Sequence, residues 1–208
     1  KLIARAFEAL QRGDRTTAAA VFETLAVASL ADADALHAAG VLGLQLGDSV
    51  RAEPLLARAV ASNPRDPVSR CHLAIAYRRL GKPELAIGEL EHALALNPEL
   101  AEAHANLGNL LRERPDNEVA ALSFARALAI RRDFPDALNG LGQTGLAAGR
   151  YETACANFER AVALDPAFHE AWYNLSRART EWALALERAW TDSIPAPAAV
   201  AKYALGLG

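Results

Sequence analysis

Three Asn-Pro or Asp-Pro pairs set the frame of this chain: "SNPRD", "LNPEL" and "LDPAF". Their prolines, Pro64, Pro98 and Pro166, fall 34 and 68 residues apart, so the period is 34 with one proline skipped. The skipped position holds Arg132, and a proline stands three residues later, at Pro135. A unit of this length holds two short helices and leaves one apolar face open, which the next unit covers. The chain is thereby restricted to a stack of similar helical units.

Units starting at 33, 67, 101, 135 and 169 bring the rest of the sequence into register. A Leu-small pair recurs in the first helix (helix A) as Leu73-Ala74, Leu107-Gly108, Leu141-Gly142 and Leu175-Ser176, with Ala39-Gly40 in the first of these units. The small residue lets helix A approach its partner, helix B, closely. Helix B carries Ala52, Ala86, Ala120 and Ala154, followed four residues later by Leu56, Leu90, Phe124 and Phe158. Residues 1–32 fit the same frame, with Gly13 at the turn and then Ala18 and Phe22. Apolar positions in helix A recur at i, i+3 and i+7, which is one helical face. Gly13, Gly47, Gly81 and Gly149 stand at the A-to-B turns and can take the positive φ that ends a helix. Pro83 in "GKPEL" suits the first position of a new helix.

With these motifs the chain resembles the tetratricopeptide repeat family over residues 1 to about 182. The resemblance implies an all-α fold, an α-solenoid (a right-handed superhelix) of antiparallel helix pairs. The expected organisation is one array over 1–190, with units at about 1–32, 33–66, 67–100, 101–134 and 135–168. "HEAWYNLSRARTEWALALERAW", residues 169–190, has no Gly or Pro at the expected turn and reads as one capping helix. Residues 191–208 read as a Pro/Ala-rich tail or linker, or an arm on a missing neighbour. The unit at 101 departs in another way. Pro115 replaces the turn glycine and disfavours a helical Arg114, so helix A should end there.

Composition narrows the function classes. Hydrophobic residues make up 52% of 208 residues, enough for a sizeable core. A net charge of −3 and a pI of about 6.0 argue against a general nucleic-acid or membrane-surface binder. No apolar run approaches the ~18 residues of a membrane span. The amphipathic start "KLIARAFEAL" is no signal peptide. Cys71 and Cys155 make no disulfide framework, and a cytoplasmic, reducing location is the expectation. The 19 Arg against 3 Lys, with abundant Ala, point to a GC-rich bacterial genome. Lys1 and the absence of Met read as a trimmed or partial product.

No catalytic constellation stands out. "GLGQTG", residues 140–145, matches a dinucleotide fingerprint, which requires a strand before it and a helix after it. Here it lies inside a helix A, so close helix packing or a shallow ligand floor must account for its glycines. "HEAWY" starts like a zinc-protease helix, but Tyr173 stands where the second His belongs. Cys71 and His72 are adjacent on a helix and point apart. His37, His92 and His104 have no partners at metal-ligand spacing. No catalytic residue, metal or cofactor is expected. Asp34, Glu102, Asp136 and Glu170 recur at the second helix position, where carboxylates suit the macrodipole. Arg78, Arg79 and Arg112 suit the helix end for the same reason.

The amides are the informative polar residues. Asn106 and Asn109 sit mid-helix in "AEAHANLGNLL", at about 0.6 kcal/mol each against Ala. In the family that this chain resembles, positions 2, 5, 6, 9, 12 and 13 of helix A line a concave surface. Leu107, Leu111, Leu141 and Leu175 then face the core. Carried onto this sequence, the surface holds His37, His72, Asn106, Asn109, Asn139, Gln143, Tyr173, Asn174 and Arg177. A carboxamide both donates and accepts, so a row of them can hold a peptide backbone whatever its side chains. The segment is also similar to the repeats of O-linked N-acetylglucosamine transferases, whose inner face carries asparagine at position 6. Only Asn106 and Asn174 match that position, while Ala38, His72 and Gly140 replace it elsewhere. The basic clamp by which some family members hold a chaperone carboxylate is absent, since Asp34, His37, Val41, His72, Glu102 and Asn106 stand at its positions.

The expected function is a non-catalytic scaffold that binds a partner protein or extended peptide along helix A. The alternative is the substrate-recruiting region of a larger glycosyltransferase, sulfotransferase or hydroxylase. Trp182 and Trp190 add self-association through the terminal helices as a third expectation.

Overall fold

The computed structural model of the chain describes residues 2–27, 32–114 and 117–193. All regular structure among them is α-helical. The elements are α1 (Leu2–Gln11), α2 (Arg15–Val27), α3 (Ala33–Leu46), α4 (Ser49–Ser62), α5 (Pro67–Arg79), α6 (Pro83–Leu96), α7 (Ala101–Arg112), α8 (Asn117–Ile130), α9 (Pro135–Ala147), α10 (Tyr151–Leu164) and α11 (His169–Ser193). Every helix A from α3 onward begins at the residue that the 34-residue frame assigns. The chain divides into two compact units, residues 1–132 and 133–208. That division falls where Arg132 replaces the frame's proline. The first unit holds the four pairs α1–α2 to α7–α8; the second holds α9–α10 and α11.

Local chemistry places the ends. Asp32 accepts from the Ala35 amide at 2.9 Å, and Asp48 from the Arg51 amide at 3.0 Å. Asp66 accepts from the Val68 and Ser69 amides at 3.0 and 3.1 Å. Each satisfies an amide that the first helical turn leaves unpaired. Gly47 closes α3 in the left-handed region at φ 88°, and Gly13, Gly81 and Gly149 do the same at their turns. The α7–α8 turn around Pro115 and the segment after Ser193 lie outside the described residues.

Within a pair, a small residue of helix A meets the large residue of helix B sixteen positions on. A Cβ placed on Gly40 would come within 2.5 Å of Leu56, on Gly108 within 2.9 Å of Phe124, and on Gly142 within 2.6 Å of Phe158. Those large side chains are 0% exposed. Burying a phenylalanine in this way contributes about 2–3 kcal/mol. Between pairs, the Phe22 ring fills the space left by Gly43, again within 2.7 Å of a notional Cβ.

One detail of the expected core shifts. Leu110 and Leu138 are buried at 2% and 0% exposure, whereas Leu111 and Leu141 are only half-buried. Position 10 of helix A is the buried one throughout: Leu42, Ala76, Leu110, Thr144 and Ala178. It lies three residues beyond position 7 and so continues the same face. Thr144 is tolerated there because its hydroxyl donates to the Leu141 carbonyl at 2.8 Å.

A second recurring device ties three of the repeats to the proline before them. Arg70 donates to the Pro64 carbonyl, His104 Nε2 to that of Pro98 at 2.9 Å, and Trp172 Nε1 to that of Pro166 at 3.1 Å. Three unrelated side chains at position 4 reach the same acceptor six residues back. The carbonyl sits in a turn, where no helix supplies it a donor.

Candidate binding site

Two junctions on the helix-A face, one in each compact unit, are made by contacts between position 5 of one repeat and position 6 of the next. In the first compact unit, His37 Nε2 on α3 lies 2.9 Å from His72 Nδ1 on α5. The rings are tilted at 54° with centroids 4.8 Å apart. The Val68 carbonyl lies 3.0 Å from the same Nδ1 and can only accept. Nδ1 of His72 therefore carries the hydrogen, and His37 Nε2 accepts it. Desolvation pushes the pKa of both imidazoles down, and for His72 the neighbouring His37 pushes it further.

In the second compact unit the same seam is made by amides. Asn174 Nδ2 donates to Asn139 Oδ1 at 2.9 Å. Asn139 Nδ2 donates to Glu170 Oε1 at 3.2 Å, and Gln143 Nε2 reaches the same oxygen at 2.9 Å. Asn139 and Asn174 are each 5% exposed. Sequence reasoning set both on an open binding face. Instead they bond to each other and to Glu170, and little of either reaches solvent. The physical reason is the seam itself: position 5 and position 6 face each other across the repeat junction. Glu170 likewise does more than sit at a helix start. Tyr173 and Arg177 are exposed on α11, and Tyr173 is 68% so.

The third seam, between Cys71 on α5 and Asn106 on α7, is open. No hydrogen bond joins the two residues. A concavity of about 330 Å³ lies there, lined by Val68, Cys71, His72, Ile75, Leu100, Glu102 and Asn106. Its floor is apolar, and its polar atoms come from His72, Glu102 and Asn106. Glu102 is held by Arg131 at 2.8 Å. Among the described residues the Asn106 amide has no hydrogen-bond partner, and Nε2 of His72 is likewise unengaged. Burial pushes the Cys71 thiol up to about 12, so it enters the cavity wall as a neutral apolar group. Asn109 is half-buried on α7 and is not part of this lining.

The structure thus brings His37, His72 and Asn106 onto one surface of the first unit, and Asn139, Gln143 and Asn174 into one network of the second. Sequence reasoning missed the His37–His72 contact and the apolar cavity. Both had a signal. The paired residues stand 35 apart, one period plus one, and "CHLAIAY" repeats the face around Cys71. "GLGQTG" lies within α9, with Gly142 against Phe158 and Gly145 against Ala154, and makes no strand-to-helix loop. Among the described residues no group of three or more His, Cys, Asp or Glu could hold a metal ion. No described helix is long and apolar enough to cross a membrane.

Comparison with known proteins accounts for this architecture. No curated protein matches the chain. Among solved structures, it is similar to TTC0263, a thermophilic TPR protein of Thermus thermophilus. The identity is 24% and the TM-score 0.74, over 86% of this chain and 97% of that one. It is also similar to a chain of the APC/C hetero-tetramer Cut9–Hcn1, at 21% identity and TM-score 0.70, over 85% of this chain and 35% of that one. YrrB, described as a TPR protein with an unusual peptide-binding site, aligns at 22% identity and TM-score 0.55 over 83% of this chain and 89% of that one. Tetratricopeptide repeat models match residues 3–67, 71–137 and 135–178, and the chain belongs to the tetratricopeptide repeat family.

Proposed function

We propose that the chain is a non-catalytic scaffold that binds an extended segment of a partner protein on the helix-A face of its first compact unit. The observation that carries this reading is the open seam at Cys71 and Asn106. Its two counterparts, His37–His72 and Asn139–Asn174, are closed by hydrogen bonds. The open one leaves an apolar cavity of about 330 Å³, enough for one large aliphatic or aromatic side chain. At its edge an unpaired carboxamide can bond the peptide backbone on either side of that residue. Support by analogy comes from YrrB, with its unusual peptide-binding site.

The test is selection of peptides from a random displayed library against the whole protein. The Kd of the winners is then measured on Val68→Trp, which covers the cavity mouth from an exposed position, and on Asn106→Ala. The selected peptides should share one large apolar residue and bind both variants about tenfold more weakly, near 1.4 kcal/mol each. Peptides that bind both variants as tightly as the parent would refute the assignment.

A further inference from the structure

We propose that the His37–His72 contact is a proton-sensitive latch between α3 and α5, closed while His37 is neutral and opened when acidification protonates it. The geometry is specific. Nδ1 of His72 donates both to the Val68 carbonyl and to Nε2 of His37, which must keep its lone pair. A proton on His37 Nε2 would set two N–H groups face to face at 2.9 Å, or force His72 to abandon Val68. A first proton is accommodated only on Nε2 of His72, at the wall of the Cys71–Asn106 cavity. The second breaks the bridge. The latch spans one repeat junction, and its counterpart in the second compact unit, Asn139–Asn174, cannot titrate.

The charged groups around the pair do not cancel this. Asp34 on α3, Asp66 at the start of α5 and Glu102 on α7 each favour the protonated rings. Asp66 is already committed to the Val68 and Ser69 amides, and Glu102 to Arg131. Desolvation is the larger influence on both rings and lowers their pKa. An unfolded histidine titrates near ~6.5. Since folding lowers the affinity for protons, the latch's stabilisation is complete above that pH and is lost as pH falls below it.

The double substitution His37→Asn plus His72→Asn transplants the non-titrating pair of the second unit into the first. Urea unfolding of the whole protein and of this variant, between pH 8 and 5, gives the proton uptake of each from the slope of stability with pH. The parent should take up about one to two more protons on unfolding than the variant below ~6.5, each proton giving a tenfold change per pH unit. The remaining histidines are common to both and cancel. Parallel curves would overturn the latch. In case the variant does not fold, histidine ring signals of the parent are followed by NMR over the same range. Two resonances titrating below the ordinary range in coupled steps support the latch; five resonances with ordinary titrations overturn it.

Discussion

The Arg70 guanidinium donates twice to the carbonyl of Pro64, through Nε at 3.1 Å and Nη2 at 2.9 Å. Its third reach, Nη1, meets Glu89 at 2.7 Å, and little of either side chain is exposed. Trp172 holds Pro166 through one bond, and its ring is 48% exposed. Hydrogen bonds to charged, desolvated groups matter more than those water can replace. Arg70→Met should therefore cost about 2 kcal/mol, since the Pro64 carbonyl and Glu89 both lose their donor. Trp172→Phe, which keeps an aromatic ring but loses the N–H donor, should cost about 0.5 kcal/mol. Urea midpoints of the two variants measure the difference, and equal losses would mean that the proline carbonyl is adequately served by water.

Glycines in this chain divide into two kinds that substitution separates. Gly142→Ala places a methyl 2.6 Å from the Phe158 ring, which is wholly buried and cannot retreat. Overpacking of this kind costs about 1–3 kcal/mol. Gly88, inside α6, has nothing within 4 Å of a notional Cβ. Gly88→Ala should stabilise by up to about 1 kcal/mol through helix propensity alone. Thermal midpoints moving in opposite directions would establish the contrast. A rise in both would show that propensity, not packing, governs both sites.

The frame was legible because backbone chemistry enforces it. Prolines, turn glycines and the small-to-large pairing of Gly108 with Phe124 each answer a local demand, so each recurs at a fixed interval. The helix starts at Pro67, Ala101, Pro135 and His169 follow from that repetition alone. The site was less legible, because position 5 faces position 6 of the following unit rather than its own counterpart. A face drawn from one helix at a time sets Asn139 and Asn174 in solvent. Only the one-residue offset between neighbouring helices turns them toward each other. The same offset joins His37 to His72 and leaves Cys71 opposite Asn106, where the side chains do not bond. The position-4 clamps were hidden for a different reason: arginine, histidine and tryptophan share a donor and little else.

Removal of one amide from the second unit's seam should be worse than removal of both. Asn139→Leu leaves Asn174 Nδ2 buried without its acceptor and takes a donor from Glu170. An unsatisfied buried polar group costs about 1–3 kcal/mol. In Asn139→Leu plus Asn174→Leu the two positions are apolar together and no amide is orphaned. The double variant should be at least about 1 kcal/mol more stable than the sum of the single losses predicts. A double-mutant cycle in urea measures that coupling, and strict additivity would show that the two amides act independently.

The cysteines provide a chemical readout of the same core. Cys71 is 3% exposed, and burial pushes its thiol up to about 12; Cys155 is 4% exposed and is also shifted upward. The reactive species is the thiolate, which the native protein at pH 8 scarcely forms at Cys71. For Cys155 the Arg179 cation opposes the rise, so the larger suppression belongs to Cys71. Native protein treated with a disulfide reagent at pH 8 should label Cys155 before Cys71, both at least about a hundredfold more slowly than in urea. Mass spectrometry of digests taken over time assigns the order. Rapid labelling of Cys71 in the folded protein would mean that α5 opens locally on the timescale of the reagent, and the cavity wall beside Asn106 would then be a mobile one.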